Sequence, residues 1–125
     1  MSKLVLVVDN DPDIADIVCE LLRGEGHRTV TARDGQEALE VLAREKPAAV
    51  VLDLKMPVMD GVEMLRRLRA QPALAETPVV VLTATQMAQE LEEQLRRLRV
   101  QCWISKPFEA EEVVAAVKSA LKDHD

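Results

Sequence analysis

Asp9, Asn10 and Asp11 follow one apolar run, Asp53 follows a second, Thr83 a third, and Lys106 stands just beyond a fourth. Brought together they would make three carboxylates, an amide, a hydroxyl and an ammonium. Gathered carboxylates repel one another, so such a cluster is costly unless a cation is present. Carboxylate, carbonyl and water oxygens suit Mg²⁺, which keeps several of its waters and pairs readily with phosphate oxygens. A lysine and a hydroxyl on the opposite side could bind the remaining oxygens of that phosphate. The chemistry this set suits is phosphoryl transfer, where positioning and neutralisation of charge do most of the catalysis.

That reading requires a fold that carries segments far apart in the chain to one rim. Residues 4–8, Leu-Val-Leu-Val-Val, form a continuous β-branched-rich run, the signature of a strand buried on both faces of a parallel sheet. Residues 49–52 and 79–82 repeat the pattern and close at Asp53 and Thr83. Weaker strands are expected at 27–32 and 102–104, at the sheet edges. Between them the apolar spacing changes to the helical period. Ile14, Ile17, Val18, Leu21 and Leu22 mark a first helix, stopped by Gly24 and Gly26. Ala38, Leu39 and Leu42 mark a second, entered at Asp34-Gly35 and ending near Pro47. Asp60 with Glu63 reads as a capping-box start for a third, with Leu65 and Leu68 on one face. Met87, Leu91, Leu95 and Leu98 mark a fourth, with Met87 and Leu91 read as core, and Val113, Val114, Val117 and Leu121 mark a fifth. Strands alternating with helices through short turns imply right-handed crossovers and a doubly wound α/β fold with a five-stranded parallel sheet. In such sheets ligands bind outside the carboxyl ends of the strands, which is where the polar set falls.

Composition narrows the function classes. The 125 residues are 48% hydrophobic and 30% charged, which supports a packed core and argues against disorder. A net charge of −6 makes nucleic acid and anionic membrane poor partners. No apolar run approaches the ~20 residues a spanning helix needs, and Met1-Ser2-Lys3-Leu4 opens into a strand rather than a secretion signal. A cytoplasmic location is therefore expected, with Cys19 and Cys102 as free thiols.

The motifs resemble those of the receiver domains of two-component response regulators. The resemblance rests on Val7-Val8-Asp9-Asn10-Asp11, Leu52-Asp53-Leu54-Lys55-Met56-Pro57, Met59-Asp60-Gly61, Leu82-Thr83-Ala84 and Ser105-Lys106-Pro107-Phe108. All five stand in the family's order and spacing, across nearly the whole chain. The resemblance implies a flavodoxin-like, CheY-like fold with strand order 2-1-3-4-5. It implies that Asp53 accepts a phosphoryl group from a histidine kinase or phosphotransfer protein. Asp9, Asn10, Asp53 and the Lys55 carbonyl match the Mg²⁺ positions, and Thr83 and Lys106 match the residues that contact the phosphoryl oxygens. Trp103 falls at the aromatic switch position. The fourth helix, fifth strand and fifth helix would then present the surface that controls a downstream protein target. The resemblance also implies a cis bond between Lys106 and Pro107.

Each position also has a plainer reading. Asp11 before Pro12 makes a good helix N-cap without any metal. Asp53 could accept hydrogen bonds at a strand end, Thr83 with Gln86 could cap a helix, and Lys106 could be a surface charge. His27 and His124 lie away from the rim. Three departures from the family pattern carry consequences. Asn10 stands where a second acid is usual, so weaker Mg²⁺ affinity is expected unless Asp11 compensates through water. Trp103 stands where Tyr or Phe is usual, and its larger ring is harder to turn inward. Arg99 stands where many receivers have glycine, so the turn before the fifth strand is expected to differ. Lys55 and Thr85 flank the expected path of attacking water and could tune acyl-phosphate lifetime. The chain runs out at Lys122-Asp123-His124-Asp125, giving the expectation of a single receiver over 1–125 with no output domain. The alternatives are a receiver cut from a larger regulator or hybrid kinase, and a Mg²⁺-dependent phosphohydrolase with Asp53 as nucleophile. Phosphohydrolases of that kind commonly need an acid where this chain has Lys55. A flavin module of similar topology is disfavoured by acids after the first strand, with no Tyr, one Phe and one Trp.

Overall fold

The computed structural model describes residues 3–54, 60–83, 89–100 and 102–122. Strands β1 (Leu4–Val8), β2 (Arg28–Ala32), β3 (Ala49–Asp53), β4 (Val79–Thr83) and β5 (Cys102–Ser105) alternate with helices α1 (Pro12–Gly24), α2 (Gly35–Glu45), α3 (Gly61–Ala70), α4 (Gln89–Arg97) and α5 (Ala110–Lys122). The strands form one parallel sheet in the order β2-β1-β3-β4-β5, so the two weaker runs are its edges.

Both faces of the sheet are dry, and strand alternation divides the core in two. Leu6, Val8, Val50, Leu52, Val79 and Val81 pack under α2, α3 and α4. Val5, Val7, Ala49, Val51, Val80 and Leu82 pack under α1 and α5. This is why β1, β3 and β4 read as unbroken apolar runs: each successive residue enters one core or the other. No helix among the described residues is long and apolar enough to cross a membrane.

Short polar residues set where the helices begin. Asp11 Oδ1 accepts from the amides of Asp13 at 2.9 Å and Ile14 at 3.4 Å, with Pro12 opening α1. Asp34 and Asp60 cap α2 and α3 through the amides of Glu37 and Glu63, each at 2.9 Å. The capping-box partner Glu63 turns its carboxylate to Arg67 at 3.0 Å. α2 ends at Lys46, whose φ of 48° terminates the helix just before Pro47. Gly24 and Gly26 end α1 as expected, with Gly26 at φ 90°. Cys19 and Cys102 are free, and burial pushes the Cys102 thiol pKa up. The fourth helix is described from Gln89, with Leu91 and Leu95 facing the core; the reading of Met87 as core and the Thr83–Gln86 cap lie outside the described residues, as does His124.

One expectation fails. The apolar spacing puts Ile17 on one helix face with Ile14, Val18, Leu21 and Leu22, but it is 48% exposed. The buried stripe of α1 is Ala15, Val18, Cys19 and Leu22. Ile17 sits about 100° or more round the helix from that stripe, whereas Ile14 and Leu21 are half-buried and Ile14 packs against the core.

Candidate functional site

Strands β1, β3 and β4 end level with one another because the register pairs Val8 with Leu52 and Asp53 with Leu82. Asp9, Asp53 and Thr83 therefore arrive at one edge, and all three are buried, at 2%, 7% and 7% exposure. They are the buried polar or charged residues among those described. From the far side, the Lys106 amide donates to the Thr83 carbonyl at 2.8 Å, which fixes the start of the β5–α5 connection against the end of β4. The Lys106–Pro107 bond is cis. The Lys106 side chain then reaches back across the sheet edge, its Nζ 3.0 Å from Asp53 Oδ2 and 4.0 Å from Asp9 Oδ2.

Asp9 occupies an uncomfortable place. Its Oδ1 accepts from the Asp11 amide at 2.9 Å, but its Oδ2 is buried without a hydrogen-bond partner among the described residues. Burial is the main force pushing its pKa up to about 6, and the nearby Asp53 charge adds to it; the Asp11 amide and Lys106 pull the other way. A buried carboxylate oxygen with no donor, beside a second carboxylate, is what a divalent cation would satisfy. The residues present therefore fit Mg²⁺.

The other predicted positions divide. Asn10 lies on the exposed bend after β1, within reach of solvent at the same rim. Asp11 caps α1 and holds Asp9 by its amide, so its plainer reading is the one its hydrogen bonds support. Lys55 and Thr85 lie outside the described residues. Trp103 is half-buried on β5, with the Arg96 guanidinium carbon 5.8 Å from the ring centroid.

Two features were missed. Gly61 opens α3 directly behind Asp53: its amide donates to the Leu54 carbonyl at 3.0 Å, and a Cβ there would lie 2.7 Å from the Leu54 Cα and 3.3 Å from the Asp53 carbonyl oxygen. The Asp60-Gly61 pair carried the signal, since a cap followed by glycine marks a close helix–strand approach as well as a helix start. The second is an apolar groove of about 540 Å³ between α1 and the β5–α5 connection, walled by Ile14, Ile17, Leu21, Pro107 and Phe108, with Lys106 also in its lining.

Comparison with known proteins decides the family. A model of the response regulator receiver domain matches residues 5–118. The chain belongs to the response regulator receiver family. Receivers of two-component systems work with histidine kinases and downstream effectors, and they generally use Mg²⁺. The DNA-binding response regulator MtrA of Mycolicibacterium smegmatis is 35% identical over all 125 residues, and this receiver spans about half, 53%, of that relative's length. The chemotaxis protein CheY4 of Vibrio cholerae superposes with a TM-score of 0.89 at 29% identity, covering 97% of this chain and 100% of CheY4. The receiver domain of a signal transduction histidine kinase from Syntrophus aciditrophicus superposes with a TM-score of 0.87 at 27% identity, covering 97% of this chain and 91% of that one. The CheY-like topology and strand order are those the motifs imply.

Proposed function

We propose that Asp53 is the phosphoacceptor of this receiver and that its phosphorylation switches the surface of α4, β5 and α5 between two states. The observation that carries this reading is the convergence of Asp53, Asp9, Thr83 and Lys106 from four separate strand ends, with Lys106 Nζ on Asp53 Oδ2 at 3.0 Å. Lys106 orients the Asp53 carboxylate through its contact with Oδ2, leaving the other oxygen to act as nucleophile. When a phosphoryl group is transferred, the Asp53 oxygen forms the new bond to phosphorus and the donor nitrogen leaves with the old bonding pair. Lys106 then shifts from the carboxylate to the incoming phosphoryl oxygens, keeping one charge-assisted contact throughout. Thr83, buried at the neighbouring strand end, supplies a hydroxyl for a further oxygen, and its movement pulls on the connection into α4. Asp9 and Asp53, with Asn10 and the Lys55 carbonyl, would hold Mg²⁺, which supplies charge neutralisation for the oxygens in transfer. The apolar groove that Lys106 helps to line offers a surface for a donor protein near Asp53.

Receivers of this kind catalyse only their own phosphorylation and dephosphorylation. The test is incubation with acetyl phosphate and Mg²⁺ followed by intact mass. Gain of one phosphoryl group in the native protein, and none in Asp53→Ala, supports the reading. Continuous turnover of a phosphomonoester would overturn it in favour of a phosphohydrolase.

A further inference from the structure

Trp103 joins the site to the surface it is meant to control. On β5 it stands opposite Val81, and Ser105, on the same face two residues on, stands opposite Thr83. The indole packs against the core under α4, alongside Leu91 and Leu98. Its outer side meets Arg96 of α4, whose guanidinium carbon lies 5.8 Å from the ring centroid. The same guanidinium is held from its own helix, with Nη2 3.6 Å from Glu92 Oε1. Arg96, whose side chain is 71% exposed, thus lies between a carboxylate one turn earlier and an aromatic face on the neighbouring strand. Indole is the strongest aromatic partner for a cation, and a guanidinium keeps its charge at any ordinary pH.

We infer that Arg96 is a positioning residue that latches Trp103 in its outward, half-buried place and thereby opposes switching. The inference rests on the phosphoacceptor reading of Asp53. An indole that turns inward along the sheet towards Thr83 must leave the guanidinium, so the contact weights the outward state alone. A ligand that favours the inward state has to overcome that weight, and its apparent affinity falls in proportion. Bulk and latch act in the same direction: the ring is hard to fit inward and is held where it is. Turning inward also frees Arg96 on the α4 surface, so one rotation changes both the shape and the exposed charge that a partner meets.

The chain has a single Trp and no Tyr, so its ultraviolet emission reports this ring alone. The experiment titrates native protein, R96Q and R96K with beryllofluoride at fixed Mg²⁺, following Trp103 emission. Phosphorylation by acetyl phosphate is measured in parallel by intact mass. The expected result is half-saturation at about two- to fivefold lower beryllofluoride in R96Q, the span of an exposed cation–π contact, with R96K close to native because it keeps the cation. R96Q and native titrating alike, while both gain the phosphoryl mass, would overturn the latch and leave the phosphoacceptor reading standing. Failure of the native protein to gain that mass would overturn the reading itself, and the latch with it.

Discussion

Asp9 is a carboxylate whose charged form is penalised by burial, and this has a measurable consequence. With its pKa raised from 3.8 to about 6, the folded protein binds more protons than the unfolded chain between those values. Stability therefore falls as pH rises through that window and levels off above it. At 1.36 kcal/mol per pH unit the loss is on the order of 2 to 3 kcal/mol. In chelator-treated protein, Asp9→Asn should remove most of this slope and raise the melting temperature at pH 7, since the amide oxygen can still accept from Asp11 while the charge beside Asp53 is gone. A native-like slope in Asp9→Asn would show that another group carries it. Next to it, Asn10 contributes an oxygen without a charge. Asn10→Asp should tighten Mg²⁺ binding, read by calorimetry or by the metal-dependent rise in melting temperature; unchanged or weaker binding would contradict a place for Asn10 in the site. The acids and Lys106 were legible in the sequence because strand ends are legible and this architecture puts its site there. The partnering was not. Lys106 was expected on the far side, waiting for phosphoryl oxygens, whereas its ammonium already sits on Asp53. A flexible four-carbon stem can reach either acid, and only packing decides which.

At the scale of elements, the pieces around the site are braced at both ends of the sheet. Behind Asp53, α3 starts so close to β3 that Gly61 has no room for a methyl group, with the Leu54 backbone as well as its side chain in the way. Gly61→Ala should destabilise the fold by about 1–3 kcal/mol in chemical denaturation, and slow phosphorylation of Asp53 by shifting the strand end. Native-like values for both would show that α3 can withdraw freely. At the opposite edge, Arg69 donates to the carbonyls of Leu98, Ala75, Thr77 and Arg99 at 2.6–3.1 Å, tying the end of α3 and the following loop to the turn after α4. Arg99 holds φ 58° in that turn and donates to Ala75 at 3.0 Å. Arg69→Met should lower stability by about 2–4 kcal/mol, because the four carbonyls lose a charged donor at once. A change below 1 kcal/mol, on the scale of an ordinary surface substitution, would mean that water replaces the clamp. The strands were readable since two dry faces leave an unmistakable apolar run. Ile17 was misread because helical spacing marks an apolar stripe without saying how much of it the neighbours cover. Arg99 was recognisable as an unusual residue for its turn, but the Arg69 clamp that accompanies it spans some thirty residues and has no local signature.

For the whole molecule, the same fold serves in relatives of different kinds, a DNA-binding regulator, a chemotaxis protein and part of a histidine kinase. What those contexts share with this chain is the fold. At the carboxyl ends of its strands this chain carries its own polar set. Here Asp53 stands against an ammonium and beside a second carboxylate whose outer oxygen accepts no hydrogen bond among the described residues. The most direct measurement converts the acyl phosphate into a permanent mark. Protein treated with acetyl phosphate and Mg²⁺ is reduced with borohydride, which turns a phosphorylated aspartate into homoserine, and digested peptides are sequenced by mass spectrometry. The account predicts homoserine at position 53 alone, lost when Mg²⁺ is chelated beforehand. Homoserine at position 9 or 11, or none in protein that has gained the phosphoryl mass, would contradict it.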